Sequence, residues 1–154
     1  MGKRKDFHLE LTSDAEKLRD VRDAIRAWAD EDGWEEHDIA DIVLAVDEAL
    51  TNVIRHSYGG EPGQRILVDV KAIDEPRRSA AIEIRIRDFG KQVPLDSIAG
   101  RDLADLRPGG LGVHIIHCVM EGARYRHMPD GGTELYMKKY RARRPAGGDS
   151  APAS

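Results

Sequence analysis

The chain has 154 residues, 40% of them hydrophobic and 34% charged, which suits one soluble domain with a full-sized core. Its formal net charge of −4 (24 Lys and Arg against 28 Asp and Glu) argues against a general nucleic-acid binder. Cys118 is the only cysteine, so no internal disulfide forms, and no run is long and apolar enough for a membrane helix.

Residues 1–6 are basic and lack the apolar run of a signal peptide, so a cytoplasmic location is expected. Phe7, Leu9 and Leu11 alternate with His8 and Glu10 and predict a short strand. Ser13 followed by Glu16 has capping-box spacing, so a helix is expected to start there. Leu18, Val21, Ile25 and Trp28 would be its buried stripe and Gly33 its end. A second helix is predicted from about 36 to 56, with Ile39, Ile42, Val43, Val46, Leu50, Val53 and Ile54 on one face. Glu48 and Asn52 are one turn apart on the opposite side, and His56 lies one further turn along. A carboxylate, a carboxamide and an imidazole are thereby stacked on the face that the core does not use. For any one of them alone, a solvated helix surface is the ordinary explanation.

Residues 57–64 hold three glycines and a proline and read as a loop. Ile66, Val68 and Val70 point one way in a strand over 65–73, and a turn follows at 74–79. The next strand, 80–88, faces Ile82, Ile84 and Ile86 inward, and the period of two puts Asp88 on that same face. Two readings stand for Asp88: an inward carboxylate that needs a partner, or an ordinary Asp-x-Gly turn opening at Gly90. From 89 to 110 periodicity fades over roughly twenty residues, apart from a short helix around 102–106, and irregular stretches of that length are usually functional or disordered. Gly109, Gly110 and Gly112 introduce an apolar helix over 111–120, an entry that can present backbone N–H groups to phosphate or simply connect. Cys118, within that apolar run, is expected to be a buried core thiol, and Gly122 to close the helix. A short strand at 124–127, a hairpin turn at 129–132 and a last strand at 133–140 complete the domain. Leu135 and Met137 face inward there, with Thr133 in phase. The domain is placed at 7–140, between an N-terminal extension at 1–6 and a disordered tail at 141–154 that has no core residues.

Taken together, Glu48 and Asn52, Asp88, the glycines at 109–112 and Thr133 resemble the ATP-binding boxes of the Bergerat-fold superfamily: gyrase, MutL, heat-shock chaperone ATPases and histidine kinases. The run Asp47-Glu48-Ala49-Leu50-Thr51-Asn52 followed by His56 is similar to the first box of the anti-sigma-factor serine kinases that work by partner switching. Gly109-Gly110-Leu111-Gly112 and Gly132-Thr133-Glu134-Leu135 fit that family too. The resemblance implies an α+β two-layer sandwich with a mixed, mostly antiparallel sheet and helices on one face. It implies ATP and Mg²⁺ as ligands, with Asn52 on the metal and Glu48 as the base that takes a proton from a serine hydroxyl. Asp88 would accept a hydrogen bond from the adenine amino group, Thr133 would support that contact through water, and Gly90 would let backbone approach the base. Residues 91–108 would form a lid, and amides near Gly110, Leu111 and Gly112 would hold phosphates. His56 would order the helix end or the phosphate side, and Arg107 would reach phosphate or a partner. The implied partners are a STAS-type anti-anti-sigma protein, a sigma factor and a second copy in a homodimer, with no membrane and no direct nucleic-acid contact. One departure stands out. The family's second box reads Asp-x-Gly-x-Gly, and here Asp88-Phe89-Gly90-Lys91-Gln92 lacks the second glycine. A non-catalytic ATP-binding regulator is the alternative that this departure favours.

Overall fold

The computed structural model describes residues 6–74, 80–92, 94 and 110–141. Five strands form one sheet in the order β1 (Phe7–Thr12), β2 (Arg65–Ile73), β3 (Ala81–Asp88), β5 (Thr133–Tyr140), β4 (Gly122–His127), and each ladder is antiparallel. The register aligns Val68 with Ile86 and Ile86 with Leu135, and Val70 with Ile84 and Ile84 with Met137. These side chains share one face, and α1 (Lys17–Glu31), α2 (Glu36–Asn52) and α3 (Gly110–Val119) cover it. Removing each such Ile or Val side chain from water contributes about 1.5–3 kcal/mol. The opposite face is polar: Tyr136 lies between the guanidinium groups of Arg85 (5.5 Å) and Arg124 (5.7 Å), and its hydroxyl donates to Glu83 at 2.5 Å. A two-layer α+β sandwich with one wetted sheet face is therefore what the alternation of the strands encodes.

In α1, Leu18, Val21, Ile25 and Ala29 form the buried stripe, while Trp28 is only half-buried. The helix ends in a Schellman pattern, with Trp34 N–H on the Ala29 carbonyl (3.0 Å) and Gly33 N–H on that of Asp30 (3.1 Å). Gly33, at φ +85°, supplies the left-handed residue that this ending needs. The capping box expected at its start does not form. Glu16 occupies the cap position without a side-chain bond, and Ser13 is used elsewhere: its hydroxyl donates to the Glu61 carbonyl (2.6 Å) and accepts from Gln64 N–H (2.9 Å). Ser13 is nearly buried, so its hydroxyl ties the 57–64 loop to the end of β1 instead of serving the helix.

Three further expectations are corrected. Cys118 is exposed, because it falls on the outer side of α3 while Ile116 and Met120 turn inward. Gly122 opens β4 instead of closing α3. Arg141, assigned to the tail, stacks 5.5 Å over Trp34 and bonds the Asp32 carbonyl, so the ordered chain extends past β5. Residues 1–5 and 142–154 lie outside the described residues.

Candidate functional site

Asp88 ends β3 with 2% of its surface exposed, so the inward reading holds; so does the turn reading. Its Oδ1 accepts from Gly90 N–H at 3.0 Å, its Oδ2 from the Ser57 hydroxyl at 3.2 Å, and Thr133 adds a backbone hydrogen bond. Burial raises the Asp88 pKa above the ordinary value of 3.8, against the pull of these donors and of Arg87. Thr133, also buried, opens β5 on the same face.

Ser57 reaches Asp88 because α2 changes pitch. After Asn52 the chain enters a π-helical turn, Val53–Ser57, closed by Tyr58 N–H on the Val53 carbonyl at 3.1 Å. That turn is locked to the mouth of the sheet. Tyr58 donates its hydroxyl to the Arg65 carbonyl and accepts from Phe89 N–H at 2.8 Å, filling the rung that β2 and β3 no longer make. Lys91 N–H bonds the Ser57 carbonyl at 2.8 Å. A Cβ on Gly90 would stand 2.8 Å from the Ser57 carbonyl carbon and nearer still to its oxygen. The close approach that Gly90 permits is therefore to the end of the π turn.

Gly132 makes the matching contact from the other side. At φ +77° its missing Cβ would meet the Asp88 carbonyl carbon at 2.7 Å and Phe89 Cα at 2.8 Å. The sequence marks Gly132 as a turn glycine and as the first residue of the Gly132-Thr133-Glu134-Leu135 run, without this close approach, and it does not mark Ser57. The signal for Gly132 was its place just before Thr133; for Ser57 there was none, since an α-helical register does not bring it to Asp88.

Glu48 and Asn52 sit on α2 upstream of the π turn, both half-buried. Asp47 is engaged by Arg22 at 2.7 Å, whereas Glu48 has no partner among the described residues. The Nδ2 of Asn52 is closed off from solvent and has no hydrogen-bond acceptor among the described residues. His56 lies inside the π turn and is exposed, so it does not continue the Glu48–Asn52 stack as an unbroken α-helix predicts. Gly110, Leu111 and Gly112 form the first turn of α3, as the glycine-rich entry predicts. Arg107 and Gly109 lie outside the described residues, as does the 91–108 segment apart from Lys91, Gln92 and Pro94.

A sheet of this order covered on one face by three helices is shared with known proteins. The structure of the RsbU and RsbW domains of a Mycobacterium tuberculosis protein superposes at a TM-score of 0.64 and 23% identity, over 91% of this chain and 33% of that one. A chain of the Pseudomonas aeruginosa SiaB–SiaC complex superposes at 0.56 and 17% identity, over 89% and 91%. Residues 11–139 match the histidine kinase-like ATPase domain, and the chain belongs to that family. Among its relatives, the serine-protein kinase RsbW of Listeria innocua is 27% identical over 140 residues, 86% of this chain and 85% of its own length. The RsbW of Bacillus cereus is 25% identical over 156 residues, 96% and 92% of the two chains. The family-level resemblance drawn from the boxes is thereby borne out. Among the described residues no helix is long and apolar enough to cross a membrane.

Proposed function

We propose that the chain is an ATP-dependent protein-serine/threonine kinase and anti-sigma factor, which phosphorylates a STAS-type anti-anti-sigma protein and sequesters a sigma factor. One observation carries the reading. Asp88 is a buried carboxylate whose oxygens offer about four acceptor positions, and three are taken by Gly90, Ser57 and Thr133. The remaining position suits the exocyclic amino group of adenine. The orphaned Asn52 Nδ2 is a second sign of fit, since a buried donor left unpaired costs about 1–3 kcal/mol and a phosphate oxygen would satisfy it. In this reading Asn52 holds Mg²⁺ through its Oδ1, and the metal when bound supplies charge neutralisation to the phosphates. Glu48, unpartnered among the described residues, takes the proton of the substrate serine, while Asp47 is kept from that task by Arg22. Thr133 supports the adenine contact through water, and Gly90 shapes the turn beneath it. The amides of Gly110, Leu111 and Gly112, with Gly109, His56 and Arg107, serve the phosphate side, and the domain, placed at 7–140 and carried one residue further by Arg141, works in a cytoplasmic homodimer.

The relatives named serine-protein kinase RsbW, matched over 85–92% of their length, support the kinase over other uses of the fold. The test is to mix the full chain with Mg-ATP and the STAS protein encoded beside it. Phosphoserine should form on the STAS protein and disappear with Glu48→Ala while ADP binding persists. ADP binding without phosphotransfer by the unaltered chain would favour the non-catalytic regulator, the reading to which Gln92 in place of the second box glycine lends weight.

A further inference from the structure

Gln92 occupies the position where the family pattern has a glycine, and both N–H groups of its carboxamide are used. Nε2 donates to the Met128 carbonyl and to the Gly132 carbonyl, each at 3.0 Å. These two carbonyls are the ends of the β4–β5 turn: Met128 N–H bonds the Gly132 carbonyl and Gly131 N–H bonds that of Met128, both at 3.0 Å. Gly132 is packed on the Asp88 and Phe89 backbone, and its successor Thr133 bonds Asp88. The contacts close a ring. It runs from Asp88 along the chain to Gln92, across to Gly132, on to Thr133 and back to Asp88.

We propose that Gln92 is a positioning residue that sets purine selectivity, by fixing Thr133 and Gly132 against the Asp88 carboxylate. The proposal rests on the nucleotide reading above. A glycine has no donor with which to close the ring. Without the carboxamide, Thr133 is held to Asp88 from one side only, and the acceptor geometry around the carboxylate loosens. A fixed acceptor discriminates an amino from an oxo group on the base, because a carbonyl oxygen placed against Asp88 leaves two acceptors facing each other. A loosened one discriminates less.

The experiment uses the full chain with Mg²⁺ and compares ADP with GDP by calorimetry, alongside melting of the nucleotide-free protein. Gln92→Ala and Gln92→Gly should each weaken ADP about five-fold, the size of one net hydrogen bond, and leave GDP unchanged. Gln92→Glu, of the same shape but without donors, should do at least as much. Gln92→Lys, which returns terminal donors, should recover selectivity. Equal weakening of both nucleotides, or unchanged ADP affinity, would overturn the proposal. If the unaltered chain bound no ADP, the nucleotide reading itself would fall. Amide exchange in the free protein would then decide whether Gln92 holds the turn: faster exchange at Met128 and Gly131 in Gln92→Ala supports it, and unchanged exchange rejects it.

Discussion

Two charges are buried on the inner face of the sheet, at opposite ends. Asp88 is 2% exposed and Lys139 7%. Lys139 lies opposite Ile82, six residues before Asp88 along β3, a separation of about 20 Å at the rise of a strand. Lys139 donates to the Val119 carbonyl at 2.8 Å and faces carboxylate oxygens of Asp38 and Asp41, each at 3.9 Å. It ties β5 to the start of α2 and the end of α3. At the other end, Asp88 is met by a hydroxyl and backbone N–H groups at hydrogen-bond distance, not by a cation. Burial is common to both; the partners differ. A charge answered by the opposite charge is used up inside the fold, whereas one held by neutral donors keeps acceptor capacity for something that arrives.

The division is easiest to break at Lys139. Lys139→Met leaves Asp38, itself 5% exposed, with only the exposed His37 imidazole at 3.2 Å beside it, and should cost about 3 kcal/mol of stability by urea denaturation. ADP affinity of the folded fraction should not change. Replacing both members, as Lys139→Met with Asp38→Leu, should recover most of the loss, because an apolar pair leaves no charge uncompensated. Loss of ADP binding at full stability in Lys139→Met would place Lys139 in the site and erase the contrast.

A smaller effect sharpens the Asp88 side. Gly131 and Gly132 both have positive φ, +101° and +77°, but only Gly132 has backbone within 4 Å of where a Cβ would stand. Alanine at either position carries the strain of a left-handed residue, of order 1–3 kcal/mol. Gly132→Ala should cost about 2 kcal/mol more than Gly131→Ala and weaken ADP binding, since it pushes β5 away from Asp88. Equal melting temperatures for the two variants would show that the close approach is not a constraint.

The inner face of β3 was legible in the sequence as far as Asp88, because alternation alone carries that residue inward. The same alternation through Thr133, Leu135 and Met137 reaches Lys139, but in sequence that lysine sits among Lys138, Arg141, Arg143 and Arg144, and nothing local separates it from them until its acidic partners on α2 are known. Glu48 and Asn52 were legible because an α-helix makes neighbours of residues four apart. His56 and Ser57 were not, since a π turn shifts the register by a residue without a composition that announces it. Ser13 misled for a related reason. A hydroxyl serves a helix end or a distant loop equally well, and only the fold decides between them. The side chain of Gln92 reaches a hairpin 36 residues away in sequence, a contact that no local pattern encodes.

The pH dependence of Asp88 offers the finest test of the contrast. In the unfolded chain its proton leaves near 3.8, and in the folded chain burial delays that release to a higher pH. Between the two values the folded state binds the proton and the unfolded state does not, so stability falls as pH rises through that window. Each pH unit of delay is worth about 1.4 kcal/mol, and the full contribution is present only below the unfolded value. Urea denaturation from pH 4 to 7 should therefore show a declining component in the native chain that Asp88→Asn lacks. Adenine binding has the opposite sign. Its amino group needs the ionised carboxylate, so ADP should displace a proton, and calorimetry in two buffers of different ionisation enthalpy should count a fractional release within the window. Parallel stability curves for the two chains, with no proton released, would mean that folding does not delay the loss of the Asp88 proton and that its burial is fully offset by the donors around it.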